Sequence, residues 1–265
     1  MDLTHLDMLV LLGIGAGAGL LGGMLGIGGS IIMIPAMAAI FDGRHGEHQH
    51  LYQAAAMVVN VFVAAPAARR HAKHGAVQKR VFRILLPATA IAIVFGVLLS
   101  NQLSGESLRL VFAVFLLWVV SNNLRKAIVP PDESDPARQK ATPLRLSFVG
   151  GVTGGAAGLL GIGGGGICVP LAHVVCKLPM RQAIGASAAV MIVSAAIGST
   201  FKLVTLSETG ESWRTALLIA LCLAPTALVT SGIGAELTHR LPIRVVRFVF
   251  AAVMLLAALR MGGLL

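Results

Sequence analysis

The sequence predicts an all-α polytopic membrane protein made of two homologous repeats in inverted topology, because of its composition, its apolar runs and an internal duplication. The 265 residues are 56% apolar and 12% charged, with a mean hydropathy of +0.85, whereas soluble domains carry about 25% charged residues. A chain of this length has too little interior to bury so many apolar side chains, so many must face lipid. We expect each repeat to contain a glycine-broken helical hairpin followed by three spanning helices.

The net charge of +10 does not indicate nucleic-acid binding, because the basic residues form short clusters between uncharged stretches, as in cytoplasmic loops. We therefore expect the lipid bilayer as a partner and no nucleic acid. The three cysteines, Cys168, Cys176 and Cys222, lie inside apolar stretches without metal-ligand spacing, so we expect neither a metal site nor a disulfide framework. The sequence has no Walker A motif and no His-Glu-x-x-His motif, so we expect no catalytic residues and no enzyme activity.

Uncharged runs divide the chain into candidate spans. In order they are Met8–Phe41, Leu51–Ala68, Ile84–Gly105, Leu110–Leu124, Leu146–Cys176, Gln182–Phe201, Thr215–Ala235 and the looser Ile243–Leu265. The first and fifth have 34 and 31 residues and contain 9 and 10 of the 31 glycines. Each is too long for one helix across a core of about 30 Å at about 1.5 Å per residue. We expect each to form two short helices joined by an unwound glycine turn near the membrane midplane.

The chain also matches itself in three places. The segment from Leu25 to Ser30, Leu-Gly-Ile-Gly-Gly-Ser, recurs 135 residues further on as Leu-Gly-Ile-Gly-Gly-Gly from Leu160 to Gly165. A proline follows both turns, and the pair Pro87 and Gly96 and the segment Arg109–Ala113 recur 138 residues further on as Pro225 and Gly234 and as Arg247–Ala251. Three matches in the same order indicate a repeat.

The two halves meet in a stretch rich in proline and in charges of both signs, which predicts an exposed linker. We place the first membrane repeat at residues 1–129 and a cytoplasmic linker at 130–144. The second membrane repeat then covers residues 145–265.

Lysine and arginine counts near the span ends predict the orientation in the membrane. The loop Arg69–Arg80 and the linker region Arg125–Arg145 contain five basic residues each, so we expect both in the cytoplasm. The acidic loop that holds Glu208 and Glu211 is expected outside if each glycine-rich run crosses the membrane an even number of times. The two halves then insert in opposite directions, which defines an inverted-topology repeat.

The glycine turns are the first candidate site. Glycine costs about 1 kcal/mol against alanine inside a helix, and non-helical backbone survives at membrane depth only inside protein or beside water. The helix after each turn directs free N–H groups and a partial positive charge back at the turn, so two facing turns would bind an anion. The candidate substrate-binding residues are Gly26, Gly28, Gly29, Ser30, Gly161, Gly163, Gly164 and Gly165, with Pro35 and Pro170 as structural pivots.

An alternative interpretation is that the glycines only allow helices to pack closely. Small residues spaced four apart form such packing faces in membranes. The pairs Gly15 with Gly19 and Gly22 with Gly26 have this spacing. Packing explains this stretch but leaves the recurrence of the Gly-Ile-Gly-Gly turn before a proline in both halves unexplained.

Polar stripes follow each hairpin. Gln53 and Asn60 are seven residues apart, as are Ser187 and Ser194, so each pair lies on one helix face. These side chains either line the anion path or form hydrogen bonds within and between helices. We take Asn60 and Ser187 as the candidate substrate-binding side chains.

Most histidines lie in two loops that the predicted topology places on opposite faces, so we expect surface positions and no shared metal site. These are His45, His48, His50, His71 and His74. His173 lies within the second glycine-rich run and is either a proton site or a hydrogen-bonded packing residue.

Three groups of residues carry a family likeness: the duplicated glycine turn followed by proline, the helix start Ala183–Ser187, and the loop His71–Val77 before Pro87. In this order they resemble the TauE/SafE sulfite exporter family of bacterial inner membranes, over about Met8 to Met261. The resemblance implies secondary transport of sulfite, sulfonates or related organosulfur anions, usually outward, without a cofactor. Ser30 departs from the family, in which a third glycine is common at this position.

We therefore expect a multi-pass transporter of a small sulfur-containing oxyanion in the inner membrane, which exports by alternating access and holds the anion at paired helix N-termini. We expect this anion site to contain no buried cation. The alternative is an anion channel, or a non-transporting membrane scaffold whose hairpins serve only packing. The sequence allows an oligomer and identifies neither the anion nor the coupling ion.

Overall fold

The structure, a computed structural model, describes residues 4–25, 28–73, 75–128, 140–237 and 243–264. These ranges contain ten α-helices and no strand; five helices precede residues 129–139 and five follow them. In chain order they are α1 (His5–Leu25), α2 (Ser30–His45), α3 (Gln49–Lys73), α4 (Lys79–Gln102), α5 (Gly105–Ile128), α6 (Pro143–Leu160), α7 (Gly165–Cys176), α8 (Met180–Thr205), α9 (Trp213–Leu237) and α10 (Ile243–Met261). A short 3₁₀ helix, Leu206–Thr209, joins α8 to α9.

Five helical stretches among the described residues are long and apolar enough to cross a membrane. They are His5–Met24, Lys79–Gln102, Gly105–Arg125, Met180–Thr209 and Trp213–Gly234. Large apolar side chains on these helices are exposed, including Phe95, Val114 and Leu221 at 67%, 68% and 69%. Apolar surface of this extent is typical of contact with lipid. The predicted fold class, an all-α polytopic membrane protein, is confirmed.

One end of the bundle, which we call the Glu211 end, gathers the loops that follow α2, α4 and α8. Arg109 Nη1 lies 3.2 Å from Asp42 Oδ2 and 2.7 Å from Glu47 Oε1. His48 Nδ1 lies 2.7 Å from Glu211 Oε1. The loop that holds Glu211, which is expected outside the cell, therefore shares this end with the loops that follow α2 and α4.

The opposite end, which we call the Lys177 end, gathers the segments before α4, α6 and α8. The N–H of Lys140 donates to the carbonyl oxygen of Cys176 at 3.0 Å. A Cβ atom built on Gly185 of α8 would lie 2.7 Å from the carbonyl oxygen of Ala76. The described parts of the two basic regions therefore share the other end.

The two glycine-rich runs form hairpins that open at opposite ends. Arg44 Nη1 near the end of α2 lies 3.0 Å from Asp7 Oδ1 near the start of α1, at the Glu211 end. Arg145 Nη1 of α6 donates to the carbonyl oxygen of Val175 in α7 at 3.2 Å, at the Lys177 end. Each hairpin thus begins and ends at one end of the bundle.

The prediction of two short helices per hairpin is wrong for the first arms. α1 has 21 residues and α6 has 18, whereas α2 has 16 and α7 has 12. The first arms extend because their glycines pack against a neighbouring helix, which offsets the low helix propensity of glycine. Only the second arms are short compared with the roughly 20 residues that a span requires.

The same interhelical contacts occur twice, once between α1 and α9 and once between α6 and α4. A Cβ atom on Gly15 would meet the carbonyl oxygen of Leu223, and one on Gly150 would meet that of Leu85. These positions differ by the two offsets of the sequence duplication, 135 and 138 residues. Further contacts repeat in the same way: Gly19 with Ala227 and Gly154 with Thr89, and Gly234 with Leu20 and Gly96 with Gly155. Exchanging the halves therefore reproduces the packing.

The predicted linker, 130–144, lies mostly outside the described residues, whose second half begins at Lys140. α6 begins at Pro143, so its first two residues fall within the predicted linker. Thr142 caps this helix, because its hydroxyl accepts the N–H of Arg145 at 3.4 Å, and Pro143 occupies a first-turn position that needs no N–H partner.

Candidate functional site

Two glycine turns separate the arms of the hairpins. Gly28, between α1 and α2, has a φ of +82°, and Gly163, between α6 and α7, has a φ of +67°. This left-handed conformation is open to glycine but costs other residues about 1–2 kcal/mol. Each turn therefore depends on glycine for its shape, independently of the space around it.

The second arm of each hairpin begins directly after its turn. Gly29 is the N-cap of α2, and Gly164 is the N-cap of α7; neither helix start has a side-chain capping hydrogen bond. The first N–H groups of a helix lack partners within it, and the helix dipole places a partial positive charge there. Both turns therefore present positive potential without an ionised side chain.

Asn60, near the middle of α3, lies between the two turns and is fully buried. Its Nδ2 donates to Ser30 Oγ at 2.8 Å. A Cβ atom built on Gly28 would lie 3.2 Å from Asn60 Oδ1 and 3.3 Å from Met191 Sδ, and one built on Gly163 would lie 2.7 Å from Asn60 Nδ2. Asn60 Oδ1 is buried and has no hydrogen-bond partner among the described residues. One amide thus joins the start of α2 to both turns.

α8 contributes two serines to the second turn. Ser194 Oγ donates to the carbonyl oxygen of Gly163 at 3.3 Å, and Ser187 Oγ donates to that of Gly165 at 3.5 Å. Ser187 was the candidate from the sequence, but Ser194 has the shorter contact with the turn. We call the following residues the turn cluster: Gly28, Ser30, Asn60, Gly163 and Ser194.

The remaining candidate residues lie around this cluster. Gly161 is the C-cap of α6, and a Cβ atom built on it would lie 2.8 Å from Gln53 Cβ. Pro35 and Pro170 lie inside α2 and α7, where proline interrupts helical hydrogen bonding; their role as pivots stays a prediction. Gly26 lies outside the described residues.

The histidines with described side chains lie outside the turn cluster. His173 Nδ1 lies 2.9 Å from the carbonyl oxygen of Leu178, at the Lys177 end, which is a packing contact at the end of α7. The predicted surface position is wrong for His50, which is 8% exposed; nothing is described for the side chains of His71 and His74. Among the described residues, no group of three or more His, Cys, Asp or Glu is placed to hold a metal ion.

The sequence pattern did not indicate Lys202 as a site residue. It is fully buried on α8, and its Nζ lies 2.9 Å from Ser100 Oγ and 2.7 Å from Asn101 Oδ1. The interior therefore holds a cation, although it lies outside the turn cluster. The uncharged run ends at Phe201, so a count of apolar residues places Lys202 in a loop.

These features define a multi-pass α-helical membrane protein with discontinuous helices, an architecture that many secondary transporters use. The chain belongs to the family described as Sulfite exporter TauE/SafE, whose family model matches residues 11–261. It is accordingly a multi-pass membrane protein of this family.

Relatives of the chain carry transporter names. The "Probable membrane transporter protein MamO" of Paramagnetospirillum magneticum is 28% identical over 98% of this chain, which covers 44% of that protein. A "Probable membrane transporter protein" of Haemophilus influenzae is 26% identical, over 96% of this chain and 97% of the relative. The "Probable membrane transporter protein YunE" of Bacillus subtilis is 22% identical, over 95% and 96%. The chain thus spans less than half of MamO but nearly all of the other two. No solved structure matches the chain.

Proposed function

We propose that the chain is a secondary transporter that exports a small sulfur-containing oxyanion, such as sulfite or an organosulfonate, across the bacterial inner membrane. The observation that supports this proposal best is the position of Asn60 between the two glycine turns, with one buried amide atom unpaired. The family description names sulfite export. The anion binds at the turn cluster in this proposal.

The chemistry of the turn cluster suits an anion. The starts of α2 and α7 contribute dipole charge, and no carboxylate belongs to the cluster to oppose a negative ligand. Asn60 and Ser30 can exchange donor and acceptor roles if the amide turns over, because a hydroxyl both donates and accepts. The unpaired amide position then offers N–H donors to the anion. Burial strengthens such bonds because water does not compete for them.

Transport by this site requires that it open to one side of the membrane at a time. We propose that the halves form an inverted-topology repeat and that one moves against the other. The exchange of contacts between α1 with α9 and α6 with α4 supports this, as does the opening of the two hairpins at opposite ends. In an inverted repeat, motion of one half against the other produces two states, which open the site to opposite sides of the membrane.

We predict that the Lys177 end faces the cytoplasm and the Glu211 end faces outward, because basic loops are retained inside. Single cysteines at positions 75 and 210 test this in a background without native cysteines. A membrane-impermeant thiol reagent applied outside whole cells should label position 210 and leave position 75 unlabelled until the membrane is opened. Labelling at 75 from outside would overturn the orientation.

Flux through the purified protein separates transport from the alternatives. Proteoliposomes should show saturable sulfite uptake and acceleration by sulfite on the opposite side. A channel would show flux without saturation or counterflow, and a packing scaffold would show no flux. Thermal stabilisation by sulfite, sulfate, thiosulfate and sulfoacetate would rank the anions that bind.

We predict that His173→Gln retains at least half of the wild-type transport rate. The contact of His173 with Leu178 lies at the end of α7, away from the turn cluster, and a glutamine amide can also donate to that carbonyl oxygen. Initial sulfite uptake at several external pH values tests this. Loss of proton-driven accumulation with normal expression would make His173 a coupling residue.

A further inference from the structure

The second buried polar centre lies at the Glu211 end, around Lys202. The ammonium uses all three hydrogens: it is 2.9 Å from His50 Nδ1, 2.9 Å from Ser100 Oγ and 2.7 Å from Asn101 Oδ1. These acceptors come from α3 and α4, so one side chain of α8 joins three helices. The Lys202 side chain does not extend its amino group to solvent, because the residue is 0% exposed.

The partners of Lys202 are neutral. His50 Nε2 lies 3.1 Å from the carbonyl oxygen of Leu103, and a carbonyl oxygen only accepts, so Nε2 carries the hydrogen. His50 Nδ1 therefore has a free lone pair that accepts from Lys202, and the imidazole is uncharged. The three acceptors around Nζ thus fit a protonated amine, and none of them supplies a compensating negative charge.

No carboxylate among the described residues lies within ion-pair distance of Lys202. The carboxylates with ion pairs at this end are engaged elsewhere: Asp7 with Arg44 and His45, Asp42 and Glu47 with Arg109, and Glu211 with His48. A buried charge without a counter-charge is costly, and a charge within a membrane span is typical of an ion pathway. Within the described ranges, the site therefore has no negative partner.

Asn101 supplies a donor without a partner among the described residues. Its Oδ1 must face the ammonium, because turning the amide over would place its N–H groups against those of Lys202. The Asn101 Nδ2 atom therefore points away, and it is buried without a hydrogen-bond partner among the described residues. Gln49, one residue before His50, is also buried, and both its amide atoms are unpaired. The acceptor that Asn101 Nδ2 lacks, on a residue that contacts Lys202, is what an anion would supply.

We propose that Lys202 and Asn101 form an anion-binding site at the Glu211 end, occupied by the transported oxyanion on its way between this end and the turn cluster. The anion accepts from Asn101 Nδ2 and neutralises the ammonium. This inference rests on the proposed function for the identity of the anion, but the missing counter-charge stands apart from it.

Hydrogen bonds connect the Lys202 site to the second hairpin. Ser100 Oγ donates to Gln53 Oε1 at 3.1 Å, and Gln53 Nε2 donates to the carbonyl oxygen of Leu159 at 3.2 Å. Gln53 also packs on Gly161, at the end of the same arm. The donors in this chain all point away from Lys202. An anion bound beside Asn101 is therefore connected to the arm before the turn cluster through Lys202 and three hydrogen bonds.

Asn101→Asp is the sharpest test, because it gives Lys202 a resident counter-charge at nearly unchanged shape. If Lys202 binds the anion, sulfite half-saturation in proteoliposomes should rise at least about tenfold. If Lys202 only joins three helices, the new ion pair should preserve transport and stability. The matched control is Gln102→Glu, which adds the same charge at the neighbouring exposed position. Wild-type half-saturation in Asn101→Asp would overturn the proposal.

Binding at the Lys202 site is measured separately in an Asn60→Leu background, which removes the central amide of the turn cluster. Sulfite should still raise the melting temperature of Asn60→Leu, and adding Asn101→Asp or Lys202→Met should abolish that rise. Lys177→Met, at an exposed lysine, should not. No rise in Asn60→Leu, or an equal rise in the double variants, overturns the site. Failure of the wild type to transport any anion, with this pattern intact, contradicts the proposed function alone.

Discussion

Gly163→Val is expected to reduce transport to background while the protein still folds and inserts. The left-handed φ of +67° at Gly163 costs a branched side chain about 1–2 kcal/mol. Its Cβ would also lie 2.7 Å from Asn60 Nδ2, which is closer than two such atoms approach without displacement. The amide of Asn60 would shift away from Ser30, so the turn cluster would lose both its backbone shape and its central side chain. Gly28→Val should act in the same way from the first turn, where φ is +82°.

The control for Gly163→Val lies in the same hairpin. Gly151 of α6 has no atom within 4 Å of a built Cβ, so Gly151→Val should transport at the wild-type rate. Sulfite counterflow in proteoliposomes, with gel filtration of the same preparations, measures rate and fold together. Transport by Gly163→Val and Gly28→Val at wild-type rates would defeat the assignment of the turns to the anion.

The sequence predicted the fold class and the hairpins because lipid restricts the chain to helices whose lengths follow from its apolar runs. Runs of 34 and 31 residues with 9 and 10 glycines cannot form single spans, so a break was required. The length of each arm did not follow, because it depends on a partner helix. α1 continues through Gly15 and Gly19 because α9 lies against both glycines.

The site was partly predictable for the same reason. Gln53 and Asn60 share one face of α3 through their spacing of seven residues. Asn60 donates to Ser30 and lies beside both turns. The burial of Lys202 was not predictable, because its acceptors His50 and Ser100 lie 152 and 102 residues away in the chain. From the sequence alone, a lysine at the end of an apolar run is predicted to be a loop residue, because its distant neighbours are known only from the structure.

Gly19→Leu is expected to cause a large loss of stability. The variant distinguishes glycines that pack helices together from glycines that shape the turns. A Cβ atom on Gly19 would meet the carbonyl oxygen of Ala227 and the hydroxyl of Thr230 on α9. The carbonyl oxygen belongs to the helix backbone and cannot rotate away, so α1 and α9 must separate. Overpacking of this kind costs about 1–3 kcal/mol, and membrane helices depend on close packing because they gain no hydrophobic energy from one another.

The measurement is the apparent melting temperature of the purified protein in detergent, with Gly17→Leu as the matched control. Gly17 lies on the same helix, two residues earlier, and has no atom within 4 Å of a built Cβ, so leucine there should leave the melting temperature unchanged. Gly154→Leu on α6 should repeat the loss, because its Cβ would meet the carbonyl oxygen of Thr89 as that of Gly19 meets Ala227. If Gly163→Val lowered the melting temperature as much as Gly19→Leu, the turns would serve packing. That result would favour the scaffold alternative. A stable, inactive Gly163→Val beside an unstable Gly19→Leu assigns packing to the first arms and anion binding to the turns.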